Sequence, residues 1–106
     1  MTHMKLGNVL PFPGAKPDKP QALKVLEEAS ETVEAFKKWL LADGFRKRNS
    51  EKVPADWADG ELNDLMDEIA DTIQASCNLA SALGVTDLTP YLARCEERNR
   101  RRGRYE

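Results

Sequence analysis

The sequence has few of the residues that define disulfide-rich domains, histidine metal centres or membrane proteins. It contains two cysteines, Cys77 and Cys95, which do not make a disulfide framework, and a single histidine, His3, which we assign no role. No apolar run approaches the roughly 20 residues that span a bilayer. The first residues do not follow the charged-then-apolar pattern of a signal peptide. We therefore expect a cytoplasmic protein with no membrane segment and with buried thiols.

The chain also lacks a strong net charge. Charged residues make up 32% of the sequence, but the formal net charge is only −2, so no global field selects a partner. The charges are nevertheless segregated, because the middle of the chain is acidic and its end is rich in arginine. A chain of 106 residues suits one domain, which keeps a large surface relative to its volume. Assembly into an oligomer would reduce that surface.

Hydrophobic periodicity predicts an all-α domain over residues 20–106, since no strand pattern competes with it. Residues 1–19 are rich in proline, which predicts an extended or irregular N-terminal arm. The first helix should begin near residues 18–20 and stop at Gly44, and a loop over 44–60 should follow.

The second helix is predicted over residues 59–83 and should end at Gly84. Thr86 or Asp87 can cap a third helix, which Gly103 should end. The first two helices are long, and we expect them to be antiparallel. The apolar stripe of the first contains Ala22, Leu26, Ala29, Val33, Phe36 and Leu40, and that of the second contains Leu62, Met66, Ile69, Ile73, Ser76, Ala80 and Leu83.

The most informative feature of the chain is an internal repeat. Residues 25–35 read VLEEASETVEA and residues 65–75 read LMDEIADTIQA. Each copy carries two acidic residues three positions apart, Glu28 and Glu31 in the first and Glu68 and Asp71 in the second. At about 100° per residue, both pairs lie at the same angle from their apolar stripe. If two such helices pack side by side, four carboxylates can converge at one edge of the bundle.

Four converging carboxylates raise one another's pKa and resist burial, and a divalent cation resolves that conflict. Oxygen ligands without histidine or cysteine favour Mg²⁺, with Mn²⁺ as the alternative ion. A ferritin-like di-iron centre needs Glu-x-x-His pairs, which this sequence lacks. Acidic residues at this spacing are also common on solvated helix faces. However, neither acidic pair has a lysine inside it to make local ion pairs, which is less typical of a solvated face.

These segments resemble the MazG-like family of all-α nucleoside triphosphate pyrophosphohydrolases, over most of the chain from about Leu23. The family carries EExxE on one helix and ExxD on the next, which here are residues 27–31 and 68–71. The resemblance implies Mg²⁺-dependent hydrolysis of an NTP or dNTP to the monophosphate and pyrophosphate. It implies that the metal is bound by Glu28, Glu31, Glu68 and Asp71, and that Glu27 acts as a base or binds a further metal.

The resemblance also implies that a late basic segment meets the nucleotide, here at Arg98, Asn99, Arg101 and Tyr105. Arginine suits phosphate oxygens through its forked donors. The chain departs from the family in two respects. Its segment between the two motifs is longer than usual, and Arg94 or Arg98 would have to replace a lysine that often precedes the asparagine. Trp57 and Trp39 are the candidates for stacking on the base, with a packing role as the alternative for Trp57 and a subunit interface as the alternative for Trp39.

Family members assemble as dimers or tetramers, so the resemblance implies a homo-oligomer in which neighbouring subunits complete a four-helix bundle. The second interpretation of the sequence is non-enzymatic. In that case the chain is a small helical adaptor whose arginine-rich end binds nucleic acid or an acidic partner. The paired carboxylates favour the enzyme with a nucleoside triphosphate substrate, because an adaptor does not require them.

Overall fold

The computed structural model describes residues 1–106 and is all-helical, with three helices and no strand. Helix α1 spans Lys19–Arg48, α2 spans Asp59–Ala82 and α3 spans Thr89–Arg101. The predicted fold class is therefore confirmed at this level. No helix combines the length and the apolar character that a membrane crossing requires.

Helices α1 and α2 form an antiparallel hairpin. The Phe45 ring stacks on Trp57 near the turn, with ring centroids 5.5 Å apart. The Thr32 and Thr72 hydroxyls meet further along, and Gln21 shares a cavity with Asn78 at the open end. The connection over residues 49–58 is short and built from turns, which suits antiparallel neighbours.

The ends of α1 confirm one prediction and correct another. Asp18 caps the helix as expected, because its Oδ1 accepts a hydrogen bond from the Gln21 N–H at 3.0 Å. The predicted stop at Gly44 is wrong, since α1 continues to Arg48. The buried Asp43 carboxylate pairs with Arg46 at 2.8 Å and with Lys47 at 2.9 Å. These ion pairs span the last turn and support the helix beyond the glycine.

The later boundaries follow the predictions closely. Gly84 has a φ of 87°, and the Val85 N–H reaches back to the Ala80 carbonyl, which closes the C-terminus of α2. The N-cap residue of α3 is Leu88 and not the predicted Thr86 or Asp87, although Asp87 Oδ1 accepts from the Thr89 N–H at 2.9 Å. Hydrogen bonds from Thr89, first from its side chain and then from its N–H, hold the pKa of Asp87 below its ordinary value.

The face through which α1 and α2 pack is not the predicted apolar stripe of either helix. The packed positions are mostly small or polar: Val25, Glu28, Thr32, Ala35 and Trp39 of α1, and Leu65, Glu68, Thr72, Ala75 and Asn78 of α2, are all buried or half-buried. Small residues let two helices approach closely. Packing through these positions places Glu28 and Glu68 inside the hairpin and not at its edge.

The predicted stripes instead form one exposed apolar face. It comprises Leu26, Val33, Phe36 and Leu40 of α1 and Leu62, Met66 and Ile69 of α2, all exposed. Thr32 and Thr72 lie on the contact face, and the next residue of each helix, Val33 or Ile73, belongs to the apolar stripe. Each stripe is therefore rotated by about 100° about its helix axis from the contact face, in the same sense. Because the helices are antiparallel, these equal rotations turn both stripes to the same side of the hairpin.

The remaining elements lie outside the hairpin. Helix α3 does not pack against α1 or α2. The N-terminal arm, residues 1–18, runs from α3 to α2: His3 Nε2 lies 2.6 Å from Glu96 Oε1, and the Phe12 N–H donates to Asn78 Oδ1 at 2.9 Å. Cys77 and Cys95 are unpaired and only half-buried, so the expectation of buried thiols is met in part.

Candidate functional site

Both acidic pairs of the repeat meet at the centre of the hairpin. Glu28, Glu68 and Asp71 each offer a carboxylate oxygen, and these oxygens all lie within 4.8 Å of one another. Glu31 lies outside this group of three. Its carboxylate is nevertheless close enough to raise the pKa of both Glu28 and Glu68. We call Glu28, Glu31, Glu68 and Asp71 the carboxylate cluster.

The two copies of the repeat are arranged about an internal pseudo-two-fold axis. Thr32 Oγ1 and Thr72 Oγ1 lie 3.2 Å apart, and each lies 3.1 Å from the carbonyl oxygen of the glutamate one turn earlier in its own helix. Glu31 and its counterpart Asp71 both lie close enough to add to the effect of burial, which raises the pKa of Glu28 and of its counterpart Glu68. The threonine contact therefore fixes the register in which the acidic pairs converge.

Burial of the two glutamates is the most unusual property of the cluster. Glu28 Oε2 and Glu68 Oε2 are buried and have no hydrogen-bond partner. Burial is the main cause that raises the pKa of each above its ordinary value, and the neighbouring carboxylates raise it further. A buried, unpartnered carboxylate oxygen is costly unless it gains a proton or a cation.

The donor set fits a hard divalent cation. All the converging atoms are carboxylate oxygens, which Mg²⁺ and Mn²⁺ prefer, and no histidine or thiol joins them. Glu31 and Asp71 each come one residue before the threonine on the contact face, whereas the apolar stripe comes one residue after it. The two acidic residues are therefore rotated in the opposite sense and lie on the side of the hairpin away from the apolar face. The cluster therefore opens away from the exposed apolar residues, where it stays accessible to a ligand.

Glu27, the fifth predicted acidic residue, points to the surface. Its Oε2 lies 3.0 Å from Lys24 Nζ, and both side chains are more than half exposed. The charges of Glu28 and Glu31 also raise the pKa of Lys24, after the larger effect of Glu27. Lys24 thus places a cation beside the cluster, a feature that the sequence analysis missed because this lysine lies outside the acidic motif.

A cavity of about 320 Å³ adjoins the cluster and shares Glu28 and Asp71 with it. Its other walls include Lys24, Gln74 and the buried Asn78, and Phe12 of the arm closes one side. No motif in the sequence marked these residues. Gln74 and Asn78 follow Asp71 on neighbouring turns of α2, a spacing that could have indicated a shared face. Phe12 has no such spacing, since the arm reaches the cavity from outside the helices.

The predicted substrate-binding residues lie elsewhere in this structure. Trp57 stacks on Phe45, and Trp39 lies against Phe36 with ring centroids 5.8 Å apart. On α3 and beyond, Arg101 pairs with Glu97, Asn99 Nδ2 lies 3.5 Å from Cys95 Sγ, and Arg100 covers the ring of Tyr105. Neither these residues nor Arg98 line the cavity beside the cluster.

Comparison of the chain with protein-family models, with curated proteins and with solved structures returned no match.

Proposed function

We propose that this protein is a Mg²⁺-dependent nucleoside triphosphate pyrophosphohydrolase that converts an NTP or a dNTP to the monophosphate and pyrophosphate. The observation that carries the proposal is the pair of buried, unpartnered oxygens of Glu28 and Glu68, which converge with Asp71 between two copies of one motif. A solvated acidic surface does not explain buried carboxylates. A cation site does, and the motif resembles that of a family with this activity.

In this proposal Glu28, Glu68 and Asp71 bind the cation, and Glu31 completes its surroundings. A bound Mg²⁺ would offset charge on the leaving pyrophosphate and lower the pKa of a coordinated water. Mn²⁺ would serve the same donor set. Glu31 and Glu27 are the nearby exposed carboxylates that remain to accept a proton from the attacking water. Lys24 would contact phosphate oxygens from the rim of the cavity.

The proposed enzyme is a homo-oligomer in which the apolar face is covered by a second copy. Seven large apolar side chains of the hairpin lie together on one side, exposed, while the carboxylate cluster opens on the other. An exposed face of this kind commonly marks an interface between proteins. Two hairpins packed through it make a four-helix bundle and leave both clusters accessible.

The test is pyrophosphate release from a panel of ribo- and deoxyribonucleoside triphosphates with Mg²⁺, using wild type and Glu68→Gln. We expect wild type to hydrolyse at least one of them to the monophosphate. Glu68→Gln should abolish this activity, because the amide keeps the shape of the side chain but loses the negative charge. Glu34→Gln is the matched control, since Glu34 is exposed and pairs only with Lys37.

Full activity of Glu68→Gln would overturn the assignment of the metal site. Absence of turnover across the whole panel, together with tight binding of DNA or RNA, would favour the adaptor with an arginine-rich end. Circular dichroism of each variant checks that the helices remain folded.

A further inference from the structure

The cavity beside the carboxylate cluster has its own set of polar groups, organised around one buried amide. Asn78 is only 3% exposed and lines this cavity. Its Oδ1 accepts two hydrogen bonds, one from the Phe12 N–H and one from Gln74 Nε2, both at 2.9 Å. These two bonds fill the acceptor capacity of the oxygen and fix the orientation of the amide.

The same network fixes the amide of Gln74. Its Nε2 donates to Asn78 Oδ1 and to the Leu10 carbonyl, both at 2.9 Å, and so uses both of its protons. Two groups remain without a partner in the chain, the Asn78 Nδ2 donor and the Gln74 Oε1 acceptor. Neither atom is fully buried, since the buried side-chain atoms without a partner are those of Glu28 and Glu68, so both can reach a molecule in the cavity.

The arm supplies an aromatic wall to this polar cavity. Phe12 lies on its rim, and the backbone of the same residue bonds to Asn78, so the ring and the free amide groups belong to one local structure. A volume of about 320 Å³ is at the lower end of the range for small-molecule sites, roughly 300–1,000 Å³. The cavity suits a planar heterocycle with hydrogen-bonding edges.

We propose that this cavity binds the nucleobase of the substrate, with Asn78 and Gln74 bonding to its edge and Phe12 stacking on its face. This inference rests on the proposed function for the identity of the ligand. Proteins commonly read unpaired bases through an aromatic ring on the face and amide or backbone groups on the edge. Glu28 and Asp71 border both the cavity and the cluster, so a base bound here directs its phosphates toward the cation ligands.

The test uses nucleosides without phosphate and without metal, so it does not depend on catalysis. The side-chain amide resonances of Asn78 and Gln74 in ¹⁵N-labelled protein would be followed while adenosine, guanosine, cytidine, uridine or thymidine is added, with ribose as the control that lacks a base. We expect at least one nucleoside, but not ribose, to shift these resonances. Asn78→Asp identifies the Asn78 signals by their loss.

Phe12→Ala should weaken binding of that nucleoside about tenfold, in line with the usual contribution of one aromatic stacking partner. Met4→Ala is the matched control in the same arm, because its side chain is 84% exposed and does not line the cavity. It should bind as wild type does. Phe12 is itself 61% exposed, so its replacement should leave the fold intact.

The inference is overturned if no nucleoside shifts the two amides, if ribose shifts them equally, or if Phe12→Ala binds as tightly as Met4→Ala. These results are separable from the proposed function. Hydrolysis of a triphosphate without nucleoside binding in this cavity would refute the proposed base site but not the proposed activity. Nucleoside binding without any hydrolysis would refute the proposed activity but not the base site.

Discussion

At the scale of single residues, Glu28 and Glu68 contribute a dependence of stability on pH. Their pKa values are raised in the folded state, first by burial and then by neighbouring carboxylates. For each residue, the folded protein therefore keeps a proton that the unfolded chain has lost when the pH lies between the unfolded-state pKa and the folded-state pKa. Over that interval, the contribution of these residues to the free energy of unfolding falls as pH rises.

We predict that Glu68→Gln becomes progressively more stable relative to wild type as the pH is raised in the absence of divalent cations. The substitution removes one of the charges that the hairpin buries at high pH. Thermal unfolding followed by circular dichroism, from about pH 4 to about pH 8 in a chelating buffer, measures the difference in melting temperature. Parallel curves for the two proteins would contradict the prediction, and Glu34→Gln should follow wild type.

Mg²⁺ should reverse this trend in the wild type. A ligand that binds only the folded state stabilises it, and carboxylates must be deprotonated to bind a metal, so the rise in melting temperature should grow with pH. We expect the rise to be absent in Glu68→Gln and unchanged in Glu34→Gln. An equal effect of Mg²⁺ on all three proteins would show that the ion acts elsewhere.

The convergence of the acidic residues could be predicted from sequence at this scale, whereas the cavity beside them could not. Glu28 and Glu68 stand out because the motif occurs twice. Phe12 and Asn78 meet only because the arm folds back along α2, and no spacing in the sequence encodes that contact.

At the scale of helices, the predicted stops at Gly44 and Gly84 differ in structure. Gly44 lies inside α1 and does not have a positive φ, whereas Gly84 ends α2 with a φ of 87°. Both positions resemble helix stops in the sequence. Helix α1 continues past Gly44 because Asp43, before the glycine, forms ion pairs with Arg46 and Lys47, after it.

We predict that Gly44→Ala stabilises the protein by about 0.5–1 kcal/mol, because alanine has the higher helix propensity. An added Cβ would lie 3.1 Å from Arg48 Nη1, the far end of a flexible side chain that can move aside. Gly84→Ala is the paired comparison and should destabilise the protein by about 1 kcal/mol, since it forces a positive φ on alanine. Denaturant unfolding measures both, and changes of equal sign would contradict the assignment of the two ends.

Helical periodicity located the apolar stripes correctly but did not identify what they pack against. Within one chain, the contact between α1 and α2 is made through Thr32, Thr72, Ala35 and Ala75, the positions that the two repeats share or match most closely. The amphipathic pattern carries no information about whether a stripe faces the same chain or another copy. The burial of the Glu28 and Glu68 oxygens inside the hairpin therefore could not be inferred from the stripes.

At the scale of the whole molecule, a single chain is extended and sparsely packed. Its radius of gyration is 17.5 Å, against roughly 13 Å for a compact domain of this size. Only five residues are buried, and none of the large apolar residues of the predicted stripes is among them. A fold with so little core in one copy requires a further source of apolar burial.

We predict that Val33→Glu converts an oligomer to monomers and lowers the melting temperature. Val33 is 53% exposed at the centre of the apolar face, so a charge there costs little in one chain but would be buried in an interface. Sedimentation equilibrium gives the mass of each species. Lys38→Glu, on the other side of the same helix, should keep the mass of wild type, and a monomeric wild type would contradict the prediction.

The pseudo-two-fold axis between Thr32 and Thr72 has a consequence for the direction in which the proposed nucleotide would bind. The four residues of the carboxylate cluster, related by such an axis, look alike from both ends of the hairpin, but a nucleotide has a head and a tail. The choice of polarity must then come from residues that the symmetry does not duplicate. Phe12 belongs to no repeat, and the counterpart of the buried amide Asn78 is the exposed Lys38, so the two ends offer different chemistry to an asymmetric molecule.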